Sequence, residues 1–105
     1  MKKIYFIYKD YLAFERQSDG VELCIIPELN NNKIYFYCNE YMTFWDSIDK
    51  AGNLDQSCDL QIKGEIRPAN LQEICLENLC NYIDTVKEYI IENGKIKNIN
   101  YIHLK

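Results

Sequence analysis

Five cysteines and one histidine are the side chains of this 105-residue chain best suited to nucleophilic or metal chemistry: Cys24, Cys38, Cys58, Cys75, Cys80 and His103. Their spacing supports neither. No CxxC pair exists, and a structural zinc site needs short-spaced paired ligands. On a helix, Cys75 and Cys80 would stand five residues apart and point to different sides. A cysteine nucleophile needs a base brought beside it, and His103, in a terminal strand, is the one imidazole. The sequence holds no GxSxG, P-loop, GxGxxG or HExxH pattern. Asp46 with Asp49, or Asp55 with Asp59, could do acid–base work, but sixteen acids in 105 residues make such pairs by chance. The expectation is a protein that is not an enzyme, holds no metal or cofactor, and packs its cysteines as reduced thiols, hence a cytoplasmic one.

The elements that must position these residues follow from pattern. Residues 3–8, 21–26 and 33–38 are β-branched, aromatic and apolar, and read as strands. Residues 11–16 read as a hairpin partner or a short helix. Ser18-Asp19-Gly20 and Asn30-Asn31-Asn32 mark turns. Thr43 with Asp46 gives a capping-box pattern for a short helix over about 43–51, ended by Gly52. Residues 59–66 alternate and read as a half-buried strand. Asn70 with Glu73 at N3 starts a long helix over about 71–93, whose apolar side is Leu71, Cys75, Leu79, Tyr82, Ile83, Val86 and Ile90. Gly94 follows as its C-terminal stop, and 96–104 closes as a strand. The predicted fold is α+β: one domain over 1–105, an antiparallel sheet of five or six strands with both helices packed on it. The edges at 3–8 and 98–104 could pair with another chain.

Charge supplies the functional signal. The net charge is −4, which disfavours direct binding to nucleic acid, and no apolar run is long enough for a membrane span. The acids are segregated: residues 40–64 carry five acids against two bases, and 65–92 carry six against two, while 93–105 carry three bases and no acid. On the expected long helix, Glu73, Glu77, Asp84, Glu88 and Glu92 fall within about 100° of one another at about 100° per residue, with Ile91 among them. Like charges four apart cost a helix about 0.2–0.5 kcal/mol per pair. A basic partner would offset that repulsion. Tyr41, Asp46, Asp49, Asp55 and Asp59 form a second acidic region with an aromatic anchor.

In size, charge and composition across its whole length, the chain resembles the immunity proteins of bacterial toxin systems, including contact-dependent growth inhibition. The resemblance implies a cytoplasmic inhibitor that binds a cognate basic toxin, a nuclease, one to one. It would neutralise the toxin by occluding its active site or substrate surface. Two other readings stand beside it: a phage-encoded acidic inhibitor or DNA mimic such as an anti-CRISPR protein, and a small cysteine-dependent enzyme.

Overall fold

The computed structural model describes residues 1–8, 20–39 and 41–104, so the reading of 11–16 lies outside the described residues. Among the described residues seven antiparallel strands form one sheet: β1 (Lys2–Ile7), β2 (Val21–Ile25), β3 (Ile34–Cys38), β4 (Thr43–Trp45), β5 (Arg67–Pro68), β6 (Thr85–Glu92) and β7 (Lys95–His103). The order across the sheet is β4-β3-β2-β1-β6-β7, and β5 pairs with β2. Among the described residues the helical content is one six-residue helix, α1 (Leu71–Leu76), and three single 3-10 turns at Pro27–Leu29, Leu54–Gln56 and Cys80–Tyr82. No helix among the described residues is long and apolar enough to cross a membrane.

This overturns the expected α+β arrangement of a five- or six-stranded sheet carrying two helices. The helix expected over 71–93 ends at Leu76. Asn78, just past the Glu77 cap, turns left-handed at φ 60°, the usual way a helix is stopped. From Thr85 the chain is a strand, Thr-Val-Lys-Glu-Tyr-Ile-Ile-Glu, and its β-branched and aromatic side chains suit a pleated surface better than a helical one. Gly94 does not cap a helix. Asn93 and Gly94, at φ 53° and 76°, form the two-residue turn between β6 and β7, the pairing that a type I′ hairpin requires. The helix expected over 43–51 is also absent: Thr43–Trp45 is β4, and turns follow. Trp45 lies opposite Phe36, and Phe44 opposite Tyr37, so aromatic cross-strand packing outweighs the capping pattern at Thr43. Residues 59–66 form no strand; they cross the sheet as a covering segment.

Over its central strands both sheet faces are covered. On one face Tyr5, Ile7, Val21, Leu23, Ile25, Ile34, Phe36, Trp45 and Val86 pack with Ile74, Leu79 and Ile83 from the α1 region. On the other, Cys24, Ile26 and Tyr35 pack under Leu60, Ile62 and Ile66. The alternation along β2 and β3 follows from the period-two geometry of a strand.

The cysteine expectation is corrected in one place. Cys75 and Cys80 are joined in a disulfide, their Cα atoms 4.9 Å apart. The chain folds back after α1 rather than continuing as a helix, and this brings the two residues together. Cys24, Cys38 and Cys58 are free.

Candidate protein-binding surface

The five acids of the expected helical stripe do not share a face. Each is engaged within the fold. Glu73 completes the capping box with Asn70: its backbone N–H donates to Asn70 Oδ1 at 2.8 Å, and its carboxylate accepts from the Asn70 N–H at 3.0 Å. The same carboxylate takes both Arg67 amino groups, at 2.6 and 2.8 Å. Glu77 caps the far end of α1 and accepts from the Ile34 N–H at 2.9 Å. Asp84 accepts from the Tyr8 N–H at 2.7 Å. Glu88 pairs with Lys3 across β1 and β6 at 3.5 Å, and Glu92 with Lys97 across the hairpin at 3.8 Å. Ile91 stands exposed opposite Ile96. A helical wheel predicts neighbours only when the segment is a helix; here Glu73 lies in the first turn of a short helix, Glu77 caps its end, and the other three run along the segment 84–92.

Glu73 carries a pH signature. The Arg67 guanidinium, with the Asn70 N–H, holds its carboxyl at about 2, against an ordinary 4.5, despite partial burial. A group whose folded value is depressed stabilises the fold above its unfolded value and loses that contribution as pH falls through the folded one. Lowering the pH from about 4.5 to about 2 should therefore cost the native protein stability at this position. In Glu73→Gln that part of the acid dependence should be missing. Urea midpoints of both proteins across this window check the difference.

The second acidic region keeps its charge exposed. It lies along the β4 edge of the sheet, and a set of local bonds makes it rigid. Trp45, wholly buried, donates its indole N–H to the Asn53 carbonyl at 2.7 Å. The Cys58 N–H donates to the Phe44 carbonyl at 2.7 Å, tying residues 46–58 into a closed loop. Asn53 Oδ1 accepts from the Asp55 N–H at 3.0 Å. Asp46 pairs with Lys50 at 3.5 Å; burial acts to raise its carboxyl, but Lys50 and Lys33 bring it below the ordinary range. Asp49, Asp55 and Asp59 are exposed, and among the described residues none of the three makes an ion pair. Tyr41, Met42 and Leu54 stand exposed in the same segment. Of these apolar residues the sequence reading found only Tyr41. Met42 stands out through its left-handed backbone, at φ 50°, which is uncommon for a non-glycine residue.

The opposite edge differs in character. β7 is exposed at all nine positions and carries Lys95, Lys97 and His103 with several apolar side chains. Five strand spacings of about 4.8 Å separate β4 from β7, so the acidic and basic edges lie roughly 24 Å apart.

Two of the free thiols, Cys24 and Cys58, offer little nucleophilic character. Burial, with Glu22 nearby, pushes the Cys24 thiol up to about 12, and burial with Asp46 raises that of Cys58. An attacking cysteine needs the reverse shift. His103 Nδ1 sits 3.2 Å from the Thr85 hydroxyl on the neighbouring strand. Among the described residues no three His, Cys, Asp or Glu side chains gather as metal ligands. No family model, no curated protein and no solved structure matches the chain.

Proposed function

We propose that this protein acts by binding another protein, and that the partner is basic. The observation that carries this reading is the β4 edge, where Asp49, Asp55 and Asp59 stand exposed and unpaired among the described residues on a loop fixed by Trp45 and Cys58. Rigid, unpaired acids add little to the stability of their own fold, yet they steer a cationic surface toward it and set its orientation. Tyr41 and Met42 supply apolar contact beside them. The role that best fits is an immunity protein: an inhibitor that covers the active site or substrate surface of a cognate nuclease toxin in a one-to-one complex. The acids Glu73, Glu77, Asp84, Glu88 and Glu92 serve the fold first, and the contact surface narrows to 41–59.

The test is a charge reversal. A partner recovered from the native host is titrated against the wild type and against Asp49→Lys/Asp55→Lys/Asp59→Lys. The triple variant should fold normally by circular dichroism and bind at least about tenfold more weakly at low salt, with the gap shrinking as salt rises. A recovered partner that is acidic, or one that binds both proteins equally, would overturn the reading. A nucleoprotein partner would move it toward the phage-inhibitor class.

A further inference from the structure

The Cys75–Cys80 disulfide encloses Leu76, Glu77, Asn78 and Leu79, where the chain turns back after α1. Two features distinguish it from a bond that holds a fold together. It lies at the surface: Cys75 is exposed and Cys80 half-buried, whereas Cys24 and Cys38 are wholly buried. It also closes a very short loop, and the shorter the loop, the less a cross-link restrains the unfolded chain. The ends of the turn have anchors of their own. Ile74 and Leu79 are buried in the main cluster, and the Leu79 N–H donates to the Ile74 carbonyl at 3.1 Å. With the disulfide open, these contacts keep the fold and leave the two thiols within reach of each other. The apex of the turn is held more lightly. Glu77 and Asn78 are exposed, and Asn78 has left-handed backbone. From this apex the Glu77 carboxylate accepts from the Ile34 N–H at 2.9 Å, at the first residue of β3.

We propose that Cys75 and Cys80 form a reversible thiol–disulfide exchange site, and that its oxidation state sets how firmly Glu77 holds the start of β3. Exposed disulfides are the ones open to exchange, and a dithiol is the matching reductant. Its thiolate attacks the exposed Cys75 Sγ, the Cys75–Cys80 bond breaks, and Cys80 leaves as a thiolate that takes up a proton. The second thiolate of the dithiol then attacks its own bound sulfur. Cys75 is released and protonated in turn, and the dithiol departs as a cyclic disulfide. Two electrons pass to the protein, and the two protons lost by the dithiol match the two gained by the cysteines. A small disulfide oxidant, itself reduced to two thiols, reverses the change. Once the ring is open, the exposed apex opens locally at little cost, and Glu77 no longer stays on the Ile34 N–H. The site involves none of the acids at 41–59 and stands apart from the function proposed above.

The folded protein is treated with dithiothreitol, alkylated, and mapped by peptide mass. Without any urea, reduction should add tags at Cys75 and Cys80, and oxidised glutathione should restore the untagged pair. The circular dichroism spectrum should stay unchanged throughout. Amide exchange at Ile34 should become at least about tenfold faster on reduction. Cys75→Ser/Cys80→Ser should show the fast exchange with or without dithiothreitol. Glu77→Ala keeps the disulfide but removes the acceptor, so its Ile34 should exchange fast already in the oxidised form, and reduction should add nothing. Should the double serine variant fail to fold, reduction of the wild type and Glu77→Ala carry the test. Cysteines that yield to dithiothreitol only in urea, thiols that oxidised glutathione cannot rejoin, a reduction that unfolds the chain, or Ile34 exchange indifferent to reduction would each overturn the proposal.

Discussion

Trp45→Ala should cost about 3–5 kcal/mol, the range for truncating a large buried aromatic. Trp45 is wholly buried at the heart of the main cluster, and its indole N–H is bonded to the Asn53 carbonyl. The substitution leaves a cavity and an orphaned acceptor together. A small domain holds only about 5–15 kcal/mol in all, so much of the total is at stake. Urea unfolding followed by circular dichroism measures the loss. If the β4 edge binds the partner, the same variant should bind poorly even where it remains folded, because Trp45 anchors the loop that bears Asp49 and Asp55 and leads into Asp59. The charge-reversal variant should show the opposite pattern, weaker binding with stability kept. The pair thus separates the scaffold from the contact.

Gly20→Ala should be nearly as damaging, for a backbone reason. Gly20 is buried at φ 86°, just before β2. A Cβ built there would press into the Ile7 carbonyl oxygen and come within 2.7 Å of the Ile7 carbonyl carbon and the Tyr8 Cα. These are main-chain atoms, so no rotamer change relieves the clash. Left-handed strain and overpacking together give a loss of about 3 kcal/mol or more. The thermal midpoint should fall clearly below that of the wild type. Gly94→Ala is the control: its φ is also positive, but nothing lies within 4 Å of the added methyl, so it should bear the strain alone.

The strands expected over 3–8, 21–26, 33–38 and 96–104 were the legible part of the sequence, whereas the one expected over 59–66 does not form. Runs such as Lys-Ile-Tyr-Phe-Ile and Ile-Tyr-Phe-Tyr-Cys appear as β1 and β3 because β-branched and aromatic residues announce a pleated surface. The capping box at Asn70 and Glu73 was equally readable, since it is a local bond pattern. The region beyond it was not. Leu71, Cys75 and Leu79 repeat at helical spacing, and Ile83, Val86 and Ile90 continue that spacing by chance into a strand. Two signals argue the other way: the β-branched density from Thr85 to Ile91, and Asn93-Gly94, a strong hairpin dipeptide. Asparagine was the residue most undervalued. Five of the eleven (Asn30, Asn32, Asn78, Asn93 and Asn98) hold left-handed backbone, where they reverse, stop or bend the chain. For the candidate surface, the acidic residue types were visible in the sequence, but which acids the fold uses was not. Glu77 reaches Ile34 and Asp84 reaches Tyr8 across 43 and 76 positions, distances that no local pattern encodes.

The place of β1 has a consequence for biosynthesis. It lies between β2 and β6, with Lys2 to Phe6 paired against Tyr89 to Thr85. As the ribosome makes this stretch, the strand that emerges earliest must wait for almost the latest before its second side is satisfied. Contacts this remote in sequence slow folding. Until they form, the nascent chain offers an unsealed apolar ribbon to whatever neighbours or chaperones are at hand.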